Sequence, residues 1–323
     1  MKLIIQIPCL NEEATLPVTV RDLPKKLPGI DTIEYLVVDD GSTDRTSEVA
    51  RECGVHHIVR FTRNRGLAAA FMAGIDASIQ LGADIIVNTD ADNQYRGGDV
   101  EKLIGPILDA TADYVLGERP ISDIEHFSYT KKKLQKLGSW VIRVVSGTDI
   151  PDATTGFRAI SRDAAMKLHI FSEYSYTLET IIQAGQKGMA ISSVPVRTNE
   201  DLRPSRLVKS IPGYIRRSTL TIVRIFMAYK PFKFFAVPGA VSFALGLFLG
   251  LRFIFFYLTG SGVGHIQSVI LSALLLGTGF FLMVVGLLAD LLSVNRKLLE
   301  GLDWQVKKIA GKEKPEKDDG PGR

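Results

Sequence analysis

Two aspartates stand one residue apart in the stretch VNTDADNQY, which runs from Val87 to Tyr95. Asp90 and Asp92 follow an apolar run, and two carboxylates this close repel each other unless a cation lies between them. A divalent cation that bridges both carboxylates and the oxygens of a phosphate would remove this repulsion. The alternative is a polar junction between a strand and a loop, where Asp and Asn are common because of their turn chemistry.

A second acidic stretch, VVDDGSTDRT, places Asp39 and Asp40 before a glycine that permits a tight turn. Ser42, Thr43 or Asp44 can cap a following helix, but this role leaves the two aspartates unexplained. A carboxylate at a strand end can accept an N–H group of uracil or guanine, so a nucleobase is a natural partner. The sequence has neither of the glycine-rich phosphate-binding patterns, so metal and arginine must hold any diphosphate.

The elements that must position these residues are short apolar runs that alternate with helix-like stretches over residues 1–200. The runs are rich in β-branched residues and nearly continuous in apolar character, which is typical of parallel strands covered on both faces. We predict strands at Leu3–Pro8, Glu34–Asp40, Ala83–Asp90 and Asp113–Arg119, and helices at Glu12–Lys26, Asp44–Cys53, Leu67–Leu81 and Val100–Ala110. The acidic clusters each follow a strand, where open α/β sheets bind their ligands. The pattern therefore predicts an α/β fold with a Rossmann-like, mostly parallel sheet.

The composition limits the class of protein. The chain has 323 residues and a formal net charge of +4, which is too mild to indicate a nucleic-acid-binding protein. Cys9 and Cys53 are the only cysteines, and we expect both to be reduced. The N-terminal stretch MKLIIQIPCLNEE does not read as a signal peptide, because its apolar run is short and is broken by Gln6 and Pro8.

Two long apolar segments follow the α/β region, at Phe234–Leu258 and Ser268–Leu292. At about 1.5 Å per residue, each can cross the roughly 30 Å hydrocarbon layer of a bilayer. Basic residues such as Lys233 and Arg296 flank the pair, whereas the joining loop has none, so we expect both ends on the cytoplasmic side. The alternative is a hairpin buried in a soluble core. The preceding residues 206–233 mix basic with aromatic and aliphatic side chains, which favours an amphipathic segment in the membrane interface over a solvated linker helix.

Six blocks of the sequence occur in the order typical of inverting family 2 glycosyltransferases of GT-A fold. They are IPCLNEE, VVDDGSTDRT, NRGLAAAFMAGI, NTDADNQ, VLGER and DATTGFRAISRDA. The chain most resembles the polyprenyl-phosphate branch of that family, such as dolichol-phosphate mannose synthase and bacterial polyprenyl-phosphate glucosyltransferases, and the resemblance covers nearly its whole length. It implies a GT-A fold, a nucleotide-sugar donor and a polyprenyl-phosphate acceptor.

The resemblance also implies site residues. The family motif D-A-D-L-Q holds a metal, and Asp90, Asp92 and Gln94 match it as ligands of Mg²⁺ or Mn²⁺, with Asn93 in place of the usual leucine. Candidate catalytic residues are Asp152, Arg119 and Arg203. Candidate substrate-binding residues are Pro8, Asn11, Glu12, Asp39, Asp40, Arg206, Glu179 and Lys132.

Two of these candidates, Lys132 and Glu179, have an alternative role that involves no contact with substrate. Lys132 lies in a run of three lysines that can be a solvated or lipid-facing charge run instead of a contact for the acceptor phosphate. Glu179 can be a carboxylate in the wall of the site or a residue on the surface of a helix.

The sequence therefore predicts a membrane-bound inverting transferase on the cytoplasmic face of the inner or plasma membrane. It would move one hexose or N-acetylhexosamine from a nucleotide sugar, with UDP favoured over GDP, to undecaprenyl or dolichyl phosphate. The alternative is a synthase that uses GDP-mannose, and weaker alternatives are a processive polysaccharide synthase or a non-catalytic membrane scaffold. The predicted parts are a catalytic domain at 1–205, the interfacial segment at 206–233, a transmembrane hairpin at 234–292 and a tail at 293–323 with a disordered end. A homo-oligomer is a candidate assembly of the chain.

Overall fold

The structure, a computed structural model, describes residues 1–119, 150, 152–170, 176–199, 219–220, 223–224, 226–227, 229–260, 264 and 266–310. The chain divides into two compact units. The first comprises Met1–Ser218 with Gly301–Arg323, and the second comprises Thr219–Glu300. The predicted boundary at residue 205 lies outside the described residues and stays a prediction, as does the predicted disordered end of the tail.

The first unit contains a seven-stranded sheet with the strand order β3-β2-β1-β4-β6-β5-β7. The strands are β1 (Lys2–Cys9), β2 (Thr32–Asp39), β3 (His57–Arg60), β4 (Ile85–Asn88), β5 (Tyr114–Glu118), β6 (Arg158–Ser161) and β7 (Ile191–Pro195). Strand β6 runs antiparallel to its neighbours β4 and β5, and the other pairings are parallel. The predicted α/β fold with a mostly parallel sheet is confirmed.

Helices cover both faces of this sheet. They are α1 (Leu16–Asp22), α2 (Thr46–Glu52), α3 (Leu67–Gln80), α4 (Val100–Leu108), α5 (Arg162–Met166) and α6 (Tyr176–Gln186). Leu3 and Ile5 belong to a core cluster that includes α1 and α4, whereas Ile4 points to the opposite face, where α3 contacts β1. All three side chains are fully buried, which explains why β1 shows a continuous apolar run instead of an alternating one.

Strand register brings the polar motifs to one edge of the sheet. Cys9 pairs with Asp39 across β1 and β2, and Gln6 pairs with Asn88 across β1 and β4. The segments that follow these three parallel strands therefore begin side by side. Because β6 is antiparallel, its first residue, Arg158, also pairs with Asn88 at this edge. The loop before β6 consequently reaches the same place as the loops after β1, β2 and β4.

The second unit contains α7 (Pro231–Leu258) and most of α8 (Ile266–Ala310). Within the described residues, these are the two helices long and apolar enough to cross a membrane, and an 18-residue window in each has a mean hydropathy of 2.0 and 2.4, respectively. They pack closely at Gly246, where the lack of a side chain leaves room for the partner helix. A Cβ at this position would lie 2.8 Å from the backbone nitrogen of Leu276. The Ser272 hydroxyl also donates to the Gly246 carbonyl at 2.6 Å. Helix α8 continues well beyond the predicted end of the apolar segment.

Candidate active site

A cavity of about 380 Å³ lies at the carboxyl ends of β1, β2 and β4, a volume in the range of small-molecule sites. Its lining residues are Pro8, Cys9, Leu10, Glu12, Asp40, Asn64, Gly66, Leu67, Ala70, Asp90, Ala91, Asp92, Gln94, Thr154, Gly156, Tyr176 and Thr177. Residues from six separate segments of the chain thus converge on one concave surface. This is the crevice where ligands are expected in an open α/β sheet.

The structure brings six of the predicted site residues into this lining, namely Pro8, Glu12, Asp40, Asp90, Asp92 and Gln94. Five others lie outside the lining, namely Asn11, Asp39, Arg119, Asp152 and Glu179. Lys132, Arg203 and Arg206 lie outside the described residues, so their roles stay predictions.

The three predicted metal ligands share one tight turn, which we call the acidic loop (residues 90–96). The Gln94 N–H donates to Oδ1 of Asp92 at 3.3 Å, which folds the loop back on itself. Asn93 has a φ of 56°, in the left-handed region. Asparagine adopts this region more readily than leucine, which gives a physical reason for Asn93 in place of the family's usual leucine.

Gly156 makes room for the first carboxylate of the acidic loop. A Cβ at this position would lie 2.6 Å from Oδ2 and 2.8 Å from Oδ1 of Asp90, so no side chain fits there without displacing Asp90. The φ of Gly156 is outside the left-handed region, so the glycine is required by close approach and not by backbone conformation.

The oxygen donors of Asp90, Asp92 and Gln94 suit Mg²⁺ or Mn²⁺, which prefer carboxylate, carbonyl and water ligands. Over the part of the chain that the structure describes, no group of three or more His, Cys, Asp or Glu side chains forms a metal cage. A metal held here would therefore take its remaining ligands from water and from a substrate diphosphate, as Mg²⁺ commonly does.

Tyr95 joins the acidic loop to the loop before β6. Its hydroxyl accepts the Gly156 N–H at 3.0 Å, and its ring stacks on Phe157 at a centroid distance of 5.0 Å. Burial and then the charge of Asp90 raise the pKa of Tyr95 to about 12, so this phenol stays neutral at physiological pH. Tyr95 is therefore a rigid neutral support behind the acidic loop.

A buried amide network forms the floor beneath the cavity. Nδ2 of Asn88 donates to the Gly156 carbonyl at 2.8 Å and to the Tyr176 hydroxyl at 3.0 Å. Nε2 of Gln6 donates to Oδ1 of Asn88 at 2.9 Å. Tyr176 stacks on Phe71 at 4.0 Å and lines the cavity. Sequence reasoning missed Tyr176, because its place in the site depends on contacts between segments far apart in the chain.

Arg119 and Asp152 form a buried ion pair beside the cavity. Nε and Nη2 of Arg119 donate to the two carboxylate oxygens of Asp152 at 2.8 and 3.2 Å, and Nη2 also donates to Oγ1 of Thr154 at 2.9 Å. Burial alone would raise the pKa of Asp152, but the hydrogen bonds and charge of Arg119 lower it below its ordinary value. The ionised pair thus fixes Thr154, which does line the cavity.

The adjacent residues Asp39 and Asp40 have different surroundings. Asp40 lines the cavity, and its oxygens accept the N–H groups of Arg65 and Gly66 at 2.7 and 2.9 Å. Asp39 is fully buried and accepts the Ser42 N–H at 2.8 Å within its own turn. Asp40 therefore holds the loop before α3 at the rim of the cavity, whereas Asp39 stabilises the turn that follows β2.

The block IPCLNEE interlocks with the turn after β2. Oδ1 of Asn11 accepts the Thr43 N–H of that turn at 2.8 Å. Within the block's own segment, Oε2 of Glu12 accepts the Thr15 hydroxyl at 2.7 Å.

Cys9 lines the cavity as a free thiol, and burial followed by the charge of Glu12 raises its pKa well above the ordinary value. This cysteine is therefore an uncharged filler in the cavity wall.

Glu179 lies in α6 and is buried, with only 3% of its surface exposed. The alternative of a helix-surface position is therefore wrong. Glu179 is not in the cavity lining, so its predicted contact with substrate stays a prediction.

Comparisons with known proteins agree with this geometry. A polyprenol monophosphomannose synthase of Mycolicibacterium smegmatis is 28% identical over 61% of this chain and 77% of its own. A UDP-N-acetylglucosamine–dolichyl-phosphate N-acetylglucosaminyltransferase of Methanococcus voltae is 30% identical over 59% of this chain and 83% of its own. The solved structure of glucosyl-3-phosphoglycerate synthase from Mycobacterium tuberculosis, in complex with Mn²⁺, UDP and glucosyl-3-phosphoglycerate, has a TM-score of 0.56. It is 20% identical over 71% of this chain and 79% of its own, which shows a shared fold.

The protein-family model described as Glycosyl transferase family 2 matches residues 4–168. That range contains most of β1, all of β2 to β6, the acidic loop and the loop that carries Gly156. Because the match covers half of the chain and includes the strands that build the cavity, the chain belongs to glycosyl transferase family 2 and is a glycosyltransferase of GT-A fold.

Proposed function

We propose that the protein transfers one hexose or N-acetylhexosamine from a nucleotide sugar to a polyprenyl phosphate. The observation that carries the proposal is the convergence of Asp90, Asp92 and Gln94 on the cavity that Asp40 borders. Two relatives support a lipid phosphate as the acceptor, because one is named for a polyprenol monophosphomannose product and the other for transfer to dolichyl phosphate. The apolar helices α7 and α8 supply a means of holding the protein where such a lipid resides.

The acidic loop would hold Mg²⁺ or Mn²⁺ through Asp90, Asp92 and Gln94. When bound, the cation supplies Lewis-acid stabilisation to the departing nucleoside diphosphate. The chain's own contribution is to keep both carboxylates in place, through Gly156 behind Asp90 and Tyr95 behind the loop. Pro8, Glu12 and Asp40, which border the same cavity, are then the residues in place to contact the nucleotide.

The acceptor needs no general base. The second pKa of a phosphate monoester is about 6, so its oxygen is already anionic near neutral pH. That oxygen attacks the anomeric carbon from the side opposite the diphosphate, the bond from this carbon to the diphosphate oxygen breaks, and the diphosphate leaves with the electron pair. The configuration at the anomeric carbon is inverted. No proton has to be removed, so the chain must supply alignment and positive charge.

Three basic residues are our candidates for drawing the acceptor phosphate toward an acidic cavity, namely Lys132, Arg203 and Arg206. Arg119 acts on the substrates indirectly, because its guanidinium is paired with Asp152 and fixes Thr154 in the cavity wall. Asp152 then orients the bound substrates through this wall.

We place the catalytic domain, residues 1–205, on the cytoplasmic face of the membrane, with α7 and α8 as a transmembrane hairpin. Residues 206–233 would lie in the interface, because a basic amphipathic segment binds anionic lipid surfaces. The hairpin raises the effective concentration of a membrane-bound acceptor at the site. Undecaprenyl and dolichyl phosphate both satisfy this chemistry.

We favour a UDP-linked donor, because the stretch VPVRTNEDLRPSRL resembles relatives that use UDP-sugars. GDP-mannose is the second candidate, and the name of the M. smegmatis relative, polyprenol monophosphomannose synthase, supports mannose as the sugar. A panel of radiolabelled UDP- and GDP-sugars, tested with membranes that contain the protein and Mg²⁺ or Mn²⁺, decides between them. One donor is expected to give a chloroform-soluble, acid-labile product. Label that appears only in water-soluble products would overturn the lipid acceptor.

A further inference from the structure

One asparagine beyond the family motifs binds three successive carbonyl groups of the acidic loop. The Asn199 side-chain Nδ2 donates to the carbonyl of Asn93 at 3.0 Å and to that of Tyr95 at 3.4 Å. The backbone N–H of Asn199 donates to the carbonyl between them, that of Gln94, at 2.9 Å. Asn199 thus spans the part of the loop that carries Gln94 and follows Asp92.

The segment that carries Asn199 is itself firmly attached. Thr198 forms an antiparallel bridge with Tyr95. The side chain and backbone of Arg197 donate to Asp99, at 2.7 Å from Nη2 to Oδ1 and 2.7 Å from the backbone nitrogen to Oδ2. Asp99 is fully buried at the start of α4. We call residues 196–199 the clasp, because they join the end of β7 to the acidic loop and to α4.

We propose that Asn199 is a positioning residue that holds the acidic loop in the conformation in which Asp92 and Gln94 face the cavity. The left-handed backbone of Asn93, at a φ of 56°, is sparsely populated and persists only where its surroundings impose it. The Asn199 side chain imposes it through the Asn93 carbonyl, directly between the two predicted ligands. The inference rests on the proposed function, because it assigns Asn199 to the metal and diphosphate end of that site.

If Asn199 had only a structural role, its loss would not act specifically on the metal and diphosphate end of the site. Asn199 is only partly buried and contributes no apolar surface to the core, so its loss leaves the sheet and the core cluster intact. Loss of the Asn199 side chain removes the hydrogen bonds to the loop carbonyls of Asn93 and Tyr95. The loop can then leave its left-handed turn, and Asp92 and Gln94 lose their common orientation. The effect is expected in metal-dependent nucleotide binding and not in global stability.

The test compares the full chain with Asn199→Ala, with Asn199→Gln, which keeps an amide donor, and with Thr198→Ala as a matched control. Thr198 is exposed and bridges the loop through its backbone alone, so its variant keeps every clasp contact. Calorimetry with Mn²⁺ and UDP should show about tenfold weaker Mn²⁺-dependent UDP binding for Asn199→Ala, the effect of losing one or two hydrogen bonds of ordinary net strength. UDP binding in EDTA and the melting temperature without ligand should match Thr198→Ala, and Asn199→Gln should recover part of the loss. In transfer assays, Asn199→Ala should raise the metal concentration needed for half-maximal rate. The rate at saturating metal should fall by a smaller factor.

Equal Mn²⁺-dependent binding by Asn199→Ala and Thr198→Ala would overturn the positioning role, and so would an equal loss of binding in EDTA. Hydrogen exchange of residues 92–96 in the ligand-free protein separates this inference from the proposed function. Faster exchange in Asn199→Ala than in Thr198→Ala supports the clasp even if wild-type protein binds no Mn²⁺·UDP, an outcome that would defeat the proposed function alone. Unchanged exchange would overturn the clasp.

Discussion

Replacing Gly156 by alanine tests whether the position of Asp90 matters to the chemistry. The new Cβ would lie 2.6 and 2.8 Å from the two carboxylate oxygens of Asp90. Ordinary van der Waals contact is about 3.5 Å, so the carboxylate must retreat by roughly 0.8 Å. The backbone of Gly156 is not in the left-handed region, so alanine adds no backbone strain and the substitution acts on Asp90.

The expected magnitudes for stability and for rate differ strongly. Inserting one carbon into a packed site costs about 1–3 kcal/mol, which lowers the melting temperature by about 2–4 °C per kcal/mol in a domain of this size. A displacement close to 1 Å at a reacting centre can cost about 100-fold in rate. We therefore expect Gly156→Ala to fold, to melt several degrees lower and to lose most of its transfer activity.

The assay measures initial rates of sugar transfer together with melting curves in the presence and absence of UDP and Mn²⁺. Gly98→Ala is the matched control, because a Cβ at Gly98 meets nothing within 4 Å and the residue lies close to the acidic loop. A near-wild-type rate for Gly156→Ala, with Gly98→Ala also active, would refute the reasoning that the Asp90 carboxylate must stay where it is.

Three other variants test separate parts of the site. Asp92→Asn should keep its fold but lose the stabilisation that UDP with Mn²⁺ gives in melting curves, since a single remaining carboxylate holds such a metal poorly; retained stabilisation would favour the strand-to-loop alternative. Arg119→Ala leaves the buried Asp152 carboxylate without its ion-pair partner and should destabilise the protein by about 3–5 kcal/mol, whereas the double variant with Asp152→Ala should recover part of the loss in thermal melts. A double variant as unstable as Arg119→Ala would contradict this account of the pair. Burial alone would raise the pKa of Asp99, but the hydrogen bonds from Arg197, followed by the hydrogen bond and charge of Lys102, hold it well below its ordinary value. This stabilisation is present above the unfolded-state pKa of about 3.9 and is lost as the pH falls from there toward the folded-state pKa. The difference in melting temperature between wild type and Asp99→Asn should therefore shrink below about pH 4, and a constant difference down to pH 3 would contradict it.

The strands that the sequence predicted share one physical property. β1, β2, β4 and β5 are buried on both faces, and this burial shows in the chain as continuous apolar runs. Strands β3, β6 and β7 were not predicted, and none of them is a continuous buried run. Strand β6, with the sequence RAIS, is short and begins with a buried arginine, so its composition does not resemble a strand. Arg158 is buried because carbonyls and hydroxyls surround it, with Nε donating to the Thr155 carbonyl at 2.8 Å.

The site could be predicted as far as residue type and strand ends determine it. Asp90, Asp92 and Gln94 lie together because one short loop carries them all, and the parallel strands bring Glu12 and Asp40 to the same edge. The sequence could not separate Asp39 from Asp40, because both are acidic and the direction of each side chain depends on the turn that follows. Tyr176 and Asn199 could not be predicted, since their contacts join distant segments.

In the proposed function, a lipid phosphate accepts the sugar in a metal-dependent reaction. The most direct measurement uses the purified full chain in liposomes that contain undecaprenyl phosphate, with the preferred radiolabelled donor and Mg²⁺ or Mn²⁺. We expect label to enter the lipid fraction as a polyprenyl phosphate sugar, in equal amount to the nucleoside diphosphate released, and we expect EDTA or Asp92→Asn to abolish both. Release of the diphosphate without a labelled lipid, or label in undecaprenyl-phosphate-free liposomes, would contradict it.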